Sequence, residues 1–123
     1  MGLPLIHIGT GAFRKAYRIG KMRLVVKIPH NKSAVEHAQT EMRMIRRLKR
    51  RVPSLMPKVV FYNQRNGVMV LKKYDTSRVR EYHAEQVEMR LGRLKLPCGD
   101  VHTKNVAFEG RRLKVIDLGC FNE

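Results

Sequence analysis

Two short stretches near the C-terminal end constrain this chain more than any other feature. The first runs Cys98-Gly99-Asp100-Val101-His102-Thr103-Lys104-Asn105, and the second Val115-Ile116-Asp117-Leu118-Gly119. An acid and an amide, four residues intervening, come first; a second acid with a glycine two places on follows. Between them lies an apolar-flanked pair of short runs with a turn at Glu109-Gly110. Such a hairpin brings its two ends together. Asn105 and Asp117 would then form an oxygen-rich pocket, the kind of site a hard divalent cation such as Mg²⁺ takes. Asp100 would be left over to accept a proton from an attacking hydroxyl. Either acid alone reads as an ordinary surface carboxylate; the combination of intervals does not.

The preceding chain supplies a sheet and a helix. Leu5–Ile8, a second run ending at Ile19, and Met22–Ile28 read as strands. Lys58–Tyr62 and Val68–Leu71 read as two more, joined by the turn Arg65-Asn66-Gly67. Gly9 and Gly11 lie between the first two strands, where the lack of a Cβ would let backbone N–H groups approach a phosphate. Alone, that pair reads as a hairpin turn. Lys27 interrupts the apolar run Leu24-Val25-Val26 and Ile28; alone, it reads as an edge-strand lysine facing water.

The spacing predicts a helix over 31–51. Val35, Ala38, Met42, Ile45 and Leu48 form its apolar stripe, and Ser33 with Glu36 reads as a capping box. Glu41 falls on that stripe, where a carboxylate is costly without a partner, and Lys27 is the natural one. Arg43, Arg46, Arg47, Lys49, Arg50 and Arg51 line the opposite face. A second helix is expected over 79–96, with Val87, Leu91 and Leu94 as a partial apolar face, Asp75-Thr76-Ser77 as a cap and Pro97 as its stop. The fold class is therefore α+β. Five antiparallel strands and one helix occupy 1–74; one helix, a loop and a β-hairpin occupy 75–123; together they make a single small domain.

These residues resemble the protein-kinase-like superfamily. Asp100 and Asn105 match the catalytic loop H-R-D-x-x-x-x-N, Asp117 the metal turn D-F-G, Lys27 the strand V-A-I-K, and Gly9 and Gly11 two of the three glycines of G-x-G-x-x-G-x-V. The run Gly-Asp-Val-His-Thr-Lys-Asn is most similar to the loop of aminoglycoside-phosphotransferase-like kinases and of compact phage early protein kinases. The resemblance implies ATP and Mg²⁺ as cofactors. It implies Gly9, Gly11 and Lys27 on the phosphates, Glu41 orienting Lys27, Asp100 as catalytic base, Asn105 and Asp117 on the metal, and Lys72-Lys73-Tyr74 as the hinge. His102 would support the loop. Departures are Arg14 at the third glycine, Ala16 at the valine, and Cys98-Gly99 in place of His-Arg; without that arginine, activation by loop phosphorylation is not expected.

The implied activity is Ser/Thr phosphorylation of host or partner proteins. A non-catalytic kinase-like module that occludes a partner is the alternative, and a basic nucleic-acid-binding protein a lesser one. Composition bears on these choices. The chain of 123 residues carries a formal net charge of +16, which favours an anionic partner. The arginine face of the first helix has little aromatic interleaving, which argues against a single-strand stacking surface. No apolar run reaches the ~18–20 residues of a membrane span, the first residues do not read as a signal peptide, and two cysteines make no disulfide framework. A cytoplasmic location is expected, the host's if phage-encoded. Apolar surface around Val101, Leu118 and Phe121 is expected to be exposed and to invite a homodimer.

Overall fold

The computed structural model describes residues 4–11, 13–96 and 101–118. They form two compact units: residues 1–40 with 58–73, and residues 41–57 with 74–123.

The first unit is built on a five-stranded antiparallel sheet of β1 (Leu5–Thr10), β2 (Arg14–Ile19), β3 (Leu24–Pro29), β4 (Val59–Tyr62) and β5 (Met69–Lys72), in the spatial order β1-β2-β3-β5-β4. All five expected strands are present. β3 is the central strand, so Lys27 is not an edge residue; it is half-buried, paired with Ala16 on β2 and Met69 on β5. Gly9 pairs with Ala16, and Tyr62 with Met69. One register row, Gly9–Ala16–Lys27–Met69–Tyr62, therefore crosses the whole sheet. Directly opposed residues project to the same side, so Lys27 has an alanine and then a glycine beside it. Val26, one residue earlier, projects to the other face and is buried.

Helix α1 (Lys32–Lys49) begins in the first unit. Its cap is Asn31, not the expected Ser33–Glu36 pair. Asn31 Oδ1 accepts from the Ala34 N–H at 2.9 Å, so the helix starts two residues earlier than a Ser33 cap would place it. Gly67, in the turn before β5, has φ +72°. A Cβ there would meet Pro29 Cγ at 2.9 Å, Val35 Cα at 3.2 Å and Ala38 Cβ at 3.3 Å, so only glycine allows the turn to lie against the first turns of the helix.

The second unit contains the rest of α1, a short 3₁₀ turn at Pro53–Leu55, α2 (Glu81–Arg93), a second 3₁₀ turn at Thr103–Asn105, and the hairpin β6 (Val106–Glu109) with β7 (Arg112–Val115). Its core includes Met44, Leu48, Val52, Val87, Leu91, Val106, Val115 and Leu118, all fully buried. Along α1 the apolar stripe is as read, but Val35 is only half-buried. The arginine and lysine side chains of the opposite face are exposed.

Helix α2 is shorter than expected at both ends. Asp75 does not cap it; its Oδ1 accepts from the Ser77 N–H at 2.8 Å and the Ser77 hydroxyl at 2.6 Å, closing a turn upstream. At the helix start the Arg80 N–H donates to His83 Nδ1 at 2.9 Å. At the end, the Leu96 N–H donates to the Leu91 carbonyl and the Lys95 N–H to the Gly92 carbonyl, both at 3.0 Å. This is a Schellman closure. Lys95 takes the left-handed position with φ +54°, where glycine is usual.

The hairpin is anchored to the start of this unit. Asp75 and Phe108 exchange two backbone hydrogen bonds, of 3.0 and 2.7 Å. The Arg78 guanidinium donates to Asp75 Oδ2 at 3.0 Å and to the Gly110 carbonyl at 2.7 Å, and lies 4.9 Å from the Phe108 ring centroid. The Ser77 hydroxyl and then the Ser77 N–H, with help from Arg78, hold the Asp75 carboxyl below its ordinary value. Val101 and Leu118 are buried, contrary to expectation: both sit in the core of this unit, so they offer no apolar surface to a second copy. Phe121 lies outside the described residues. Among those residues, no helix is long and apolar enough to cross a membrane.

Candidate functional site

Three of the residues singled out by sequence converge in the second unit. Asn105 ends the 3₁₀ turn before β6, and Asp117 lies just past β7, so the hairpin returns the chain to its own start. Asn105 is 3% exposed, and buried amides persist when hydrogen-bonded. Its Oδ1 accepts from the His102 N–H at 2.8 Å, and its Nδ2 donates to the Asp117 carbonyl at 3.3 Å. Its own backbone carbonyl accepts from the Ile116 N–H at 2.7 Å. One side chain thus ties the loop to the turn that carries the second acid.

Glu41 is the third. It is 1% exposed, as its place on the helix stripe implied. Its Oε2 accepts from the Leu118 N–H at 2.7 Å, across 77 positions of sequence. The carboxylate therefore grips the residue that follows Asp117. Sequence reasoning missed this contact, because a backbone N–H partner carries no side-chain signature. His102 does support the loop: its Nδ1 accepts from the Lys104 N–H at 3.2 Å, which makes Nε2 the protonated nitrogen of the neutral ring. Asp100, Cys98 and Gly99 lie outside the described residues.

Gly9, Gly11 and Lys27 belong to the first unit. Among the described residues, neither glycine is required by packing: a Cβ at Gly9 would meet nothing within 4 Å, and one at Gly11 only the Arg14 carbonyl at 3.7 Å. The segment holding Gly11 is fixed instead by two histidines. His30 Nε2 lies 3.1 Å from the Gly11 carbonyl oxygen, and the His37 ring stacks on Phe13 with centroids 4.1 Å apart. Nothing in the glycine pattern pointed to those histidines.

Among the described residues, no group of three or more His, Cys, Asp and Glu side chains gathers as a transition-metal site would. What the turn brings together is Asn105 and the backbone of Asp117, two residues whose side chains both carry oxygen donors. Asn105 Oδ1 keeps a second lone pair beyond the one given to His102. Such a sparse oxygen set fits Mg²⁺, which keeps water and phosphate oxygens in most of its six positions.

No protein-family model matches the sequence, and no curated protein is similar to it by sequence. Solved structures are similar to it. An APH(2'')-IIa complex with streptomycin and ATP superposes with a TM-score of 0.65 at 15% identity, over 97% of this chain and 67% of that one. The aminoglycoside phosphotransferase APH(2'')-Ib bound to ADP gives 0.66 at 15% identity, over 97% and 66%. A choline/ethanolamine kinase family protein from Mesorhizobium loti gives 0.57 at 14% identity, over 97% and 59%. The chain thus spans about two thirds or less of each of them. By strand order, by the helix that follows β3 and by this likeness over nearly its full length, the chain has the protein-kinase-like fold.

Proposed function

We propose that the chain is an ATP- and Mg²⁺-dependent phosphotransferase whose acceptors are Ser/Thr hydroxyls of proteins. The observation that carries this reading is a pair of hydrogen bonds at one turn: buried Asn105 donates to the Asp117 carbonyl, and buried Glu41 accepts from the N–H of the next residue, Leu118. Phosphoryl transfer demands positioned charge more than covalent machinery, and residues so tied down have little freedom to drift. The solved structures with ATP and ADP bound support nucleotide as the ligand.

In this reading Lys27 holds phosphate oxygens, and Gly9 and Gly11 let the backbone come near them. Glu41 serves twice, as the acid that orients Lys27 and as the acceptor that fixes the turn after Asp117. Asn105 Oδ1 and the Asp117 carboxylate would hold Mg²⁺, which would supply positive charge against that developing on the phosphates. The Asp100 carboxylate takes the proton from the acceptor hydroxyl as its oxygen bonds to the γ-phosphorus. The bond from that phosphorus to the β–γ bridging oxygen breaks, and ADP leaves.

Incubation with γ-labelled ATP, Mg²⁺ and whole-cell protein tests the proposal. Label should pass to protein with the natural chain, and not with Asp100→Ala or Asp117→Ala. Equal incorporation by all three would sink it. Binding of Mg-ATP with no transfer would instead make the chain a non-catalytic nucleotide-binding module.

A further inference from the structure

The second unit carries a cavity that the reading above does not use. It has a volume of about 560 Å³ and is lined from three elements: the 3₁₀ turn at Pro53–Leu55, α2, and the β6–β7 turn with the start of β7. That size lies within the ~300–1,000 Å³ of ordinary ligand sites. Arg90, Arg111 and Arg112 surround it, all exposed. Among the described residues, no ion pair or side-chain hydrogen bond engages any of the three guanidinium groups. Glu109, the carboxylate closest in sequence to two of them, lies 3.8 Å from Lys114 Nζ. The aliphatic floor is made of Leu55 and Val87, both buried, and Leu113, half-buried and therefore its one accessible member.

We propose that this cavity docks an acidic peptide segment bearing one leucine-sized side chain between carboxylates. Guanidinium forks pair bidentately with carboxylates, and a chain of net charge +16 draws an acidic partner towards it. The aliphatic floor takes the apolar side chain. The Ser54 hydroxyl and the Gln86 amide, also in the lining, can each donate to and accept from a peptide backbone. Among the described residues the lining has no aromatic ring on which a base could stack, which disfavours a single-stranded nucleic acid. A bare phosphate would leave the floor uncovered. The proposal does not rest on phosphate transfer, because every residue it uses lies outside the Asn105–Asp117–Glu41 cluster.

Fluorescence anisotropy at low salt tests it, with a labelled acidic pentapeptide that has leucine at its centre and Asp or Glu elsewhere. The natural chain should bind it, and Arg90→Glu should weaken binding by about tenfold or more. Replacing the central leucine by glycine should cost roughly tenfold, the worth of burying that side chain. Arg65→Glu, an equal charge change at a residue that does not line the cavity, should stay within about twofold of the natural chain when the titration is repeated at roughly 0.15 M salt, where a charge not touching the peptide is screened. The double variant Arg111→Glu/Arg112→Glu gives an independent reading should Arg90→Glu lose its helical circular dichroism. No binding by the natural chain, an equal loss with Arg65→Glu, or indifference to the leucine would each overturn the proposal. Preferential binding of oligothymidylate, abolished by the same reversals, would make the cavity a nucleic-acid site and overturn the peptide assignment.

Discussion

The buried carboxylate of Glu41 accepts a hydrogen bond from the backbone N–H of Leu118 at 2.7 Å. A helix residue thereby fixes a turn far along the chain, next to the acid expected to hold a metal. Glu41→Ala should leave that N–H buried without its acceptor and cost about 2–3 kcal/mol. Glu41→Gln keeps an acceptor oxygen and should cost less. Denaturant unfolding of the two variants measures the difference; equal losses would mean the hydrogen bond contributes nothing beyond packing.

Asn105 presents a donor and an acceptor to two different backbone groups. Asn105→Asp keeps the acceptor for the His102 N–H but points a carboxylate oxygen at the Asp117 carbonyl. It should therefore destabilise the chain by about 1–3 kcal/mol, despite being nearly isosteric. A thermal melt unchanged from that of the natural chain would contradict this.

Glycines of the two kinds should part company. Gly67→Ala forces a side chain into a left-handed turn with Pro29 Cγ at 2.9 Å, and should cost about 1–3 kcal/mol. Gly9→Ala meets open space and should melt with the natural chain, while weakening Mg-ATP binding if the backbone there approaches phosphate. Calorimetry of both variants, folding and nucleotide titration together, gives the comparison.

Lys95 occupies a left-handed position with a full side chain. Lys95→Gly relieves that strain but adds freedom to the unfolded chain, for a net gain of about 0.5–1 kcal/mol. A modest rise in melting temperature is the expected result.

Asp75 gives the chain a pH dependence of known sign. Its carboxyl is held low in the folded state by Ser77 and Arg78. The stability it lends is therefore present above the ordinary carboxylate value and is lost as pH falls through the lowered one. Melting temperature should decline as pH falls below the ordinary carboxylate value of about 4, and Asp75→Asn, which retains an acceptor for Ser77 but no charge, should flatten that decline.

Periodicity made the frame legible. Short apolar runs bounded by turn residues located all five strands of the sheet, and the 3.6-residue stripe located both the helix and the burial of Glu41. Chain ends of helices were less legible, because Asn31 and Ser33 both have capping chemistry and only the three-dimensional path decides which amide each can reach. The expected exposure of Val101 and Leu118 failed for a related reason. Their burial depends on packing partners distant in sequence, which local pattern does not record. The two histidines at the Gly11 segment and the arginine-ringed cavity were illegible too, being assembled from elements that the chain visits tens of residues apart.

The row Gly9–Ala16–Lys27–Met69–Tyr62 has a consequence for how such a chain can vary. Deleting one residue upstream in β3 would place the Lys27 side chain where Val26 stands, opposite Tyr17 and Val70, and bring Ile28 into the row instead. Lineages carrying this sheet can therefore exchange one letter of the central strand for another far more readily than they can drop one.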